Sequence, residues 1–592
     1  MKRKVLIPLS LFAVLALSAC TTSPNNSQPV DSSDISYPDG ESVSIEVSET
    51  PEVPVIDFQP GDFELTTEDG TFTQENGVFT ITTAGTYKAT GVLENGQILI
   101  NATKNDEVVL ELNGESISCD ADSPIKALKA DKLEISAKKN TENGIYDKRN
   151  LKTVDNEEMG EGAIHAKCDL KLKGAGLLVV EGNYNNGIHT TKDFTVQKEE
   201  LYVVATNNAI KGKDGISMVS GTVTLISKNG NGLKTDNTDV SSSGKQRGNI
   251  TISGGTLIVD SVFDGIDASH NIVINEENED SLETSITIKT GLKSSYQNNY
   301  KPSESAKGLK ADNEIDIDAG NIVIEGSDDA IHANYGDALE NGEVGQGFIN
   351  VNGGTISIAS GDDGIHADNI LNINGGSIVI TNSTEGLEAT HVNVNGGETH
   401  IYATDDGVNA SEKIAERPTV IVNGGLLDIT VTKGDTDGID SNGSYLQTGG
   451  LVITRGAPNN AHNLATGLDT DFGASMTGGT LISFNGIENQ PSLSDNILTA
   501  YYGPNQTGHN TGDIPGGPGG PRSTRGTSTV IFLTGTYTLS GGEMSYSFYN
   551  QFAYSKFIVY SDQLSIGTAY TLANGESTIL SWTQNSNSHQ IS

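Results

Sequence analysis

The segment Asn352-Gly353-Gly354-Thr355-Ile356-Ser357-Ile358, followed by Asp362-Asp363-Gly364-Ile365-His366-Ala367, sets the pattern for the middle of this 592-residue chain. An Asn-Gly-Gly motif and an acidic-Gly-aliphatic-polar turn return together at 374–376 with 385–388, at 395–397 with 406–409 and at 423–425 with 437–440. The second glycines of the four Asn-Gly-Gly motifs are 22, 21 and 28 residues apart. Self-similarity at such a spacing is typical of a repeat protein.

Between these motifs the sequence alternates strictly between apolar and polar residues, as in Thr355–Ile358 and Asn393–Asn395. Alternation with a period of two predicts strands that have one apolar and one polar face. Because no helical pattern is present to cover a flat sheet, each repeat can bury its apolar side chains only by coiling and stacking on its neighbours. We therefore expect an all-β fold, a parallel β-helix or solenoid, over residues 56–500.

The asparagines of the Asn-Gly-Gly motifs are expected to form a ladder through the stack. Asn tolerates the left-handed conformation of a corner, and its amide can hydrogen-bond to the Asn of the next repeat. The two glycines then form the sharp corner. Since every repeat needs such a corner, we assign a structural role to Asn352, Asn374, Asn395 and Asn423.

One polar residue follows each Gly-aliphatic step, and in a stacked fold these residues form an outward-facing column. Repeats stack about 4.8 Å apart, so the column offers one polar group roughly per sugar unit of a polysaccharide laid along the stack. The alternative is that the column is simply solvated. The column comprises His165, His189, Lys211, Lys234, Asp267, Lys310, His332, His366, Glu388, Asn409, Asp440 and Asp469. The residues predicted to bind polysaccharide are His189, Lys211, Lys234, Asp267, Lys310, His332, His366 and Glu388.

Acidic residues cluster at the turns beside this column. Calcium takes roughly six to eight oxygen ligands in loose geometry, and carboxylates on adjacent repeats can supply them. The alternative is that Asp-Gly merely suits a turn. We expect calcium as a cofactor, bound between repeats by Asp328, Asp329, Asp362, Asp363, Asp405, Asp406, Asp435, Asp437 and Asp440. The column histidines at 165, 189, 332 and 366 are only weak candidates for a transition-metal site, because the sequence shows no patterned third ligand.

Residues 1–19 begin with Lys2-Arg3-Lys4, continue through a short apolar stretch and end before Cys20. This arrangement is typical of a lipoprotein signal peptide, so we expect Cys20 to be lipidated and the protein to lie at the extracellular face of the cell membrane. The composition of residues 20–55 predicts a flexible tether. Residues 501–527 read as a Gly/Pro-rich linker and residues 528–592 as a small all-β C-terminal module or cap.

The formal net charge of −41 at pH 7 argues against nucleic acid as a partner. Such an excess of acid either keeps an exported protein soluble or binds divalent cations. Apart from Cys20, only Cys119 and Cys168 are present, and the sequence leaves open whether they form a disulfide or remain buried thiols. We expect a monomer whose partners are a polysaccharide and, through the lipid anchor, the membrane.

Three motifs, Tyr184-Asn185-Asn186-Gly187-Ile188-His189, Asn208-Ala209-Ile210-Lys211-Gly212-Lys213-Asp214 and Asn231-Gly232-Leu233-Lys234-Thr235-Asp236, resemble a known family in order and spacing. The family is that of the clostridial cell-surface carbohydrate-binding β-helix proteins, once a domain of unknown function. The resemblance covers roughly residues 56–500 and implies a right-handed parallel β-helix with bound calcium, close in architecture to pectate lyases, that binds cellulose or polygalacturonate-type polymers. Asn207, Asn208 and Asn231 stand where the family commonly has an acidic residue, which argues against metal binding by those repeats.

A noncatalytic, calcium-assisted polysaccharide-binding protein is the favoured function, because an active site is normally one irregular place in a fold. The first alternative is a calcium-dependent lyase of the pectate type, in which calcium neutralises a uronate carboxylate and a lysine removes the adjacent proton. Lys310, followed by Lys234, is the candidate base. A surface adhesin that binds another protein is the second alternative. Aromatic residues make up only 6% of the chain, which favours acidic or mixed polysaccharides over pure cellulose.

Overall fold

The computed structural model describes residues 52–58, 61–153, 156, 158–197, 199–276, 283–339, 342–434, 436–458, 465–503 and 532–591. The expected signal peptide, Cys20, most of the expected tether and linker, and Asp435 lie outside these ranges. Within the described residues the fold is nearly all strand, and 47 strands join one long sheet. Two short 3-10 helices, Gly291–Lys293 and Gln297–Asn299, are present. The predicted all-β character is therefore confirmed.

Most strands of the long sheet pair in parallel with the strand that comes three places later in the chain. The sheet therefore consists of three strand series, and each repeat contributes one strand to each series. Strands Ile365–Ile373 and Leu387–Val394 are long enough to belong to the first series and to continue into the second. The strands of the first series, which carries the polar column, are Gln97–Asn101, Ile125–Lys129, Gly162–Ala166, Asn186–Thr190, Ile210–Gly212, Leu233–Lys234, Ile266–Ala268, Leu309–Ala311, Ile331–Ala333, Ile365–Ile373, Leu387–Val394, Val408–Ala410, Ile439–Ser441 and Leu468–Thr470.

The second and third series run through the same repeats. The strands of the second series are Glu107–Cys119, Lys132–Ala137, Asp169–Gly174, Asp193–Gln197, Gly215–Met218, Asn249–Ile252, Asn271–Ile274, Glu314–Ile317, Phe348–Val351, Thr419–Val422, Ser444–Gln447, Ala474–Met476 and Ser492–Leu493. Those of the third series are Glu142–Asp147, Leu177–Gly182, Glu199–Ala205, Gly221–Ser227, Thr256–Ser261, Ser285–Thr290, Asn321–Glu325, Thr355–Ala359, Ser377–Asn382, Glu398–Ala403, Leu426–Val431, Leu451–Arg455 and Thr480–Phe484.

Antiparallel strands flank the stack at both ends. Strand Phe557–Ser561 pairs antiparallel with Thr480–Phe484 and with Leu498–Tyr502, so it covers the last strand of the third series. Four of the C-terminal strands form a separate antiparallel sheet. The N-terminal strands are Glu64–Thr67, Phe72–Glu75, Val78–Ile81 and Gly85–Leu93. The C-terminal strands are Leu498–Tyr502, Gly535–Gly541, Met544–Asn550, Phe557–Ser561, Ala569–Asn574, Ser577–Thr583 and Ser588–Gln590.

Two long connections adjoin the strands that carry Lys310 and His332. Residues 291–308, which contain both short helices, lead from the third series into Leu309–Ala311. A hairpin of strands Tyr335–Ala338 and Val344–Gln346 leads from Ile331–Ala333 into the second series. The connections that adjoin the column at this point are therefore longer than the shortest turns of the stack.

The predicted alternation is visible in burial. In Ile365–Ile373, Ile365 and Ala367 are buried while His366 between them is half-buried. Aliphatic residues at the Ile365 position stack from repeat to repeat, for example Ile331 on Ile365, and belong to one continuous hydrophobic core. Burying these rows of aliphatic side chains holds the repeats together, while the polar residues between them remain on the other face.

The predicted asparagine ladder is confirmed. The side-chain amide of Asn374 donates to Asn352, that of Asn395 to Asn374 and that of Asn423 to Asn395, each at 2.8 Å. The expectation that Asn takes the left-handed conformation is wrong, because in these motifs it is the second glycine that has a positive φ, such as 84° at Gly354. A Cβ at Gly354 would lie 2.7 Å from the carbonyl oxygen of Gly320, so the close stacking of corners also requires glycine.

The two described cysteines, Cys119 and Cys168, are both free and buried. This settles the alternative left open by the sequence in favour of buried thiols. Among the described residues, no helix has the length and apolar character needed to cross a membrane.

Candidate functional site

The polar column predicted from the sequence is present, in register, in the first strand series. Successive members lie side by side on adjacent strands even though between 21 and 43 residues of chain separate them. Lys126, which the repeat motif does not identify, extends the column by one strand. Parallel pairing joins, in order, Lys126, His165, His189, Lys211, Lys234, Asp267, Lys310, His332, His366, Glu388, Asn409, Asp440 and Asp469.

The column is less exposed than an outward-facing row of polar residues is expected to be. His189, Asp267 and Glu388 are buried, with 8%, 4% and 5% of their surface exposed. The other five predicted polysaccharide-binding residues are half-buried: Lys211, Lys234, Lys310, His332 and His366. Neighbouring side chains cover one another because they pair, so only part of the column can contact a ligand directly.

Lysines of the column are neutralised by nearby aspartates. Lys211 lies 2.5 Å from Asp236, and Lys234 forms an ion pair with Asp267. Lys310 lies 3.4 Å from Asp267 and 3.4 Å from Asp312. Burial alone would lower the pKa of Lys310, but these carboxylates raise that pKa above its ordinary value. A lysine held in its protonated form is a poor general base at neutral pH.

His165 and His189 form a buried, neutral pair at the N-terminal end of the column. Their Nδ1 atoms are 3.0 Å apart. Burial, followed by the adjacent His189, lowers the pKa of His165 to about 3. Burial, followed by Lys211, lowers the pKa of His189 to about 3. The residues three positions earlier in each repeat are Gly162 and Asn186, which carry no carboxylate. Glu161 stands beside this turn, but it donates its backbone N–H to His165 Nδ1 at 3.3 Å, and its carboxylate pairs with Lys152 at 2.9 Å.

His332 and His366 form the second histidine pair, and carboxylates surround it. Asp329 Oδ2 lies 2.6 Å from His332 Nδ1, and Asp363 Oδ2 lies 2.9 Å from His366 Nδ1. Asp368 Oδ1 faces the outer Nε2 atoms of both rings, at 3.6 and 3.3 Å. We call these five residues the histidine section.

Charge pairing sets the pKa values in the histidine section. Burial alone would lower the pKa of His366, but the adjacent carboxylates of Asp363 and Asp368 raise it to about 10. Burial alone would raise the pKa of Asp329, but its hydrogen bond to His332 and the charge of Lys307 hold that pKa well below its usual range. The two imidazoles lower the pKa of Asp368 in the same way, against the effect of burial. These carboxylates are therefore stabilised in their ionised form.

Further carboxylates complete the acidic turns beside the histidine section. Asp328, Asp329 and Asp362 place one carboxylate oxygen each within 4.8 Å of one another, and so do Asp362, Asp363 and Glu385. Lys307 Nζ already donates to Asp328 at 2.8 Å and to Asp329 at 2.7 Å. Burial, followed by Asp363, raises the pKa of Glu385 to about 9. Asp362, shared by both groups, is exposed and so is accessible to an ion from solvent.

Asp406 and Asp437 occupy the equivalent turn positions farther along the stack, and Asp440 is the column residue that follows Asp437; we call these three the aspartate section. Burial raises the pKa of Asp406 to about 8, of Asp437 to about 7 and of Asp440 to about 6, and the repulsion of neighbouring aspartates adds to each shift. No lysine, arginine or histidine in the described ranges forms an ion pair with any of the three. Asp405, the remaining predicted ligand here, is exposed.

The predicted metal ligands thus fall into two kinds. All four aspartates at 328, 329, 362 and 363 belong to groups whose ligand atoms lie close enough to share an ion. Within the part of the chain that the structure describes, no three of Asp405, Asp406, Asp437 and Asp440 have ligand atoms within 4.8 Å of one another. Calcium fits the first kind best, because its donors are several carboxylates with loose geometry and one of them faces solvent.

A ladder of hydrogen bonds runs through the turn position three residues before the column. The carboxylate of Asp329 accepts from the backbone N–H of Asp363 at 3.0 Å, and that of Asp406 accepts from the N–H of Asp437 at 2.7 Å. Asn231 makes the same bond to the N–H of Asp264 at 3.0 Å. Asn and Asp at this position therefore have a structural role in joining repeats, besides any role in binding ions.

Asp368, Glu385 and Lys413 contribute to this site but are not among the residues predicted from the sequence. Asp368 lies two residues after His366, at a position occupied by Asp236 and Asp312 in other repeats, and this common spacing is the signal that points to it. Glu385 stands three residues before Glu388, as Asp329 stands before His332. Lys413 lies 2.9 Å from Glu388 but comes from a connection of irregular length, which offers no periodic signal.

Comparison with known proteins gives the family. A sequence profile described as carbohydrate-binding domain-containing protein matches residues 75–346 and 336–430, which together are more than half of the 592 residues. A relative with the same description, from Acetivibrio thermocellus, is 32% identical over 126 residues, or 21% of this chain and 44% of the relative. The chain thus spans less than half the length of that relative.

A solved structure described as the polysaccharide lyase-like protein from C. thermocellum, in a gadolinium derivative, is 28% identical. The alignment covers 38% of this chain and 86% of the other, with a TM-score of 0.34. The family assignment rests on the sequence profile, whose matches include the column residues from Lys126 to Asn409. The chain belongs to the carbohydrate-binding domain-containing protein family.

Proposed function

We propose that this protein is a noncatalytic, calcium-assisted polysaccharide-binding lipoprotein of the cell surface, built as a right-handed parallel β-helix. The observation that carries the proposal is the polar column, which stays in register over thirteen strands from Lys126 to Asp469. Strands that pair with every third strand along the chain are what a coiled, three-sided β-helix requires. Adjacent strands are about 4.8 Å apart, so such a column matches an extended polymer lying along the stack.

The half-buried residues Lys211, Lys234 and Lys310, with His332 and His366, are the direct contacts in this proposal. Their exposed ends can hydrogen-bond to hydroxyl or carboxylate groups, while the buried Asp267 and Glu388 hold them in position. His189 supports Lys211 from the adjacent strand. Binding therefore requires little reordering of side chains, which lowers its entropic cost.

Calcium is the proposed bridge between this acidic protein and an acidic polymer. Asp328, Asp329, Asp362, Asp363 and Glu385 would hold the ion, and the exposed Asp362 leaves one side of it open to a uronate carboxylate. Without a cation, a chain of net charge −41 repels such a polymer. We therefore place polygalacturonate-like or mixed plant polymers ahead of purely cellulosic ones.

Catalysis is not part of the proposal, because the lysines that could act as bases form ion pairs with carboxylates. Lys310 faces Asp267 and Asp312, which favour its protonated form. Lys234 is paired with Asp267. A lyase would need one of these lysines to accept a proton from the substrate.

Cosedimentation tests the function directly. The protein is mixed with polygalacturonate or insoluble cellulose, in calcium or in EDTA, while the ultraviolet absorbance of unsaturated chain ends is followed. We expect calcium-dependent association with polygalacturonate and no rise in absorbance. A rise in absorbance that Lys310→Ala abolishes would establish a lyase instead.

A matched pair of variants tests whether the polymer binds at the column. Lys234→Gln should weaken association, whereas Lys171→Gln, a half-buried lysine of the second series, should not. Soluble oligosaccharide should displace the polymer; a protein adhesin would show no such competition and no association with either polysaccharide. Incorporation of labelled fatty acid into the wild-type chain, and its loss in Cys20→Ser, tests the lipid anchor that places the protein at the extracellular face of the membrane.

A further inference from the structure

Two imidazoles of the histidine section lie face to face on adjacent strands. His332 pairs in register with His366, and their ring centroids are 4.4 Å apart at an angle of 22° between planes. Both side chains are 12% exposed. The stack therefore presents two nitrogen donors side by side at a site that solvent ions can reach.

Carboxylates meet the Nδ1 edge of this stack. Asp329 Oδ2 is 2.6 Å from His332 Nδ1 and 3.9 Å from His366 Nδ1. Asp363 Oδ2 and Glu388 Oε2 lie 2.9 and 3.2 Å from His366 Nδ1. Two overlapping groups of three donors result, Asp329 with both histidines and Asp363 with His366 and Glu388. The third ligand that the sequence pattern lacks is thus supplied by the turn.

The opposite edge of the stack carries a second, independent feature. Asp368 Oδ1 faces the Nε2 atoms of both His332 and His366. Its other oxygen, Oδ2, accepts from the backbone N–H of Tyr335 at 2.8 Å, which fixes the carboxylate. Where histidine binds a metal, its outer N–H commonly donates to a carboxylate that sets ring orientation and tautomer. Asp368 occupies that position for both rings at once.

We infer that His332, His366 and Asp329, with Asp363 or Glu388 as a further ligand, form a binding site for a zinc-class transition-metal ion. Mixed imidazole and carboxylate donors select zinc and related first-row ions, whereas calcium takes oxygen donors. A tetrahedral zinc ion holds neighbouring ligand atoms about 3.4 Å apart, and the separations of 2.6 to 3.9 Å here lie on both sides of that value. Asp329 also borders the proposed calcium position, but the two imidazoles set this site apart from it.

The chain contains its own control for this inference. His165 and His189 are also neighbours in the column, with ring centroids 5.0 Å apart. Their Nδ1 atoms face each other at 3.0 Å rather than facing a carboxylate, and the turn positions are Gly162 and Asn186. Two imidazoles without a third donor bind a metal weakly, so this pair separates the effect of histidine stacking from that of the complete ligand set.

Calorimetric titration of the chelator-treated full chain with Zn²⁺ tests the site, with visible absorption of Co²⁺ as a second readout. We expect one tightly bound ion per chain and the intense bands of tetrahedral Co²⁺. His332→Gln and His366→Gln should each weaken Zn²⁺ binding roughly tenfold or more, while His165→Gln and His189→Gln leave it unchanged. Excess Ca²⁺ should not displace the ion.

A measurement on the unaltered chain guards against variants that fail to fold. The electron paramagnetic resonance spectrum of one equivalent of Cu²⁺ should show coupling to two imidazole nitrogens, and the same spectrum from the His165→Gln chain assigns that coupling to His332 and His366. The inference is overturned if Cu²⁺ shows no nitrogen coupling. It is also overturned if folded His332→Gln and His366→Gln chains keep full Zn²⁺ affinity, or if Ca²⁺ displaces Zn²⁺ at comparable concentration, since that behaviour belongs to an oxygen-only site.

Discussion

The histidine section and the aspartate section place aspartates at the same turn position and give them opposite electrostatic environments. In the histidine section, Lys307 and the two imidazoles hold the pKa of Asp329 below its usual range, against the effect of burial. In the aspartate section, burial and the neighbouring carboxylates raise the pKa of Asp437 to about 7. Carboxylates in the first section favour the ionised form, and those in the second favour a bound proton.

The backbone does not cause this difference. Asp329 and Asp406 accept the same hydrogen bond from the backbone N–H of the next repeat, at 3.0 and 2.7 Å. Both stand three residues before a column residue. What differs is the side chains nearby, since only the first section contains cationic partners. A repeat fold thus fixes where a group stands, while its neighbours along the stack decide its charge.

The largest expected effect is the loss of a charge from the histidine section. Asp329→Asn removes the buried carboxylate that Lys307 and His332 share and leaves them only the more exposed Asp328 and Asp368, so it should lower the free energy of unfolding by about 3 kcal/mol at pH 7. Because the pKa of Asp329 is depressed in the folded state, its contribution is present above about pH 4 and is lost as the pH falls. Denaturant unfolding at pH 7 and pH 3 measures this, and equal stability of variant and wild type at pH 7 would refute it.

The same type of substitution in the aspartate section should raise the free energy of unfolding instead of lowering it. Asp437→Asn removes a carboxylate whose pKa is raised by burial and by repulsion. A raised acid pKa means that the folded state binds more protons than the unfolded state, so stability falls as the pH rises from about 4 to 7. In EDTA at pH 8 the variant should exceed wild type by on the order of 3 kcal/mol, and the gain should vanish at pH 4. A destabilised variant at pH 8 would contradict this account.

Stabilisation by calcium should depend on the carboxylates beside the histidine section and not on the aspartate section. Calcium at a hundred times its dissociation constant should stabilise the wild-type chain by about 2.7 kcal/mol. Asp362→Asn should remove most of this gain, because Asp362 belongs to both all-carboxylate groups beside the histidine section. Asp437→Asn should retain it. Thermal unfolding of the three proteins with and without calcium is the measurement, and the reverse ranking would move the calcium position to the aspartate section.

The smallest expected effect concerns the N-terminal half of the column. Lys211→Gln removes one partly exposed charge and should weaken binding to polygalacturonate by roughly 1 kcal/mol or less. Asn409→Ala, in the acidic half, should change binding less than Lys211→Gln does. Cosedimentation at low and moderate salt checks both, because a direct charge contact weakens with ionic strength. Equal effects of the two substitutions would place the polymer elsewhere on the surface.

The register of the column could be predicted residue by residue because it depends on a local rule. Each Gly-aliphatic-polar step, such as Gly364-Ile365-His366, buries the aliphatic side chain and so fixes which residue is next to it on the opposite face. Asp267 and Lys310 are 43 positions apart and still pair in register, because residues 291–308 form a connection outside the strands.

Burial and pairing could not be predicted in the same way, since they depend on side chains from different repeats. His332 and Asp368 are 36 positions apart in sequence and meet only because Ile331–Ala333 and Ile365–Ile373 are adjacent. Lys307 reaches Asp329 from a connection of irregular length. The sequence does not distinguish asparagine from the second glycine as the left-handed corner residue, because both tolerate that conformation, and only the close contact at Gly354 separates them.

Strand Phe557–Ser561 caps the last strand of the third series. A parallel sheet whose last strand is open offers free N–H and C=O groups to a strand of another molecule, and identical repeats would make such growth self-propagating. Here the strand runs antiparallel between Thr480–Phe484 and Leu498–Tyr502, so the groups of the last third-series strand are already bonded. A second copy joining there would first have to displace it. A chain of stacked repeats is thereby prevented from extending into a fibre at this edge.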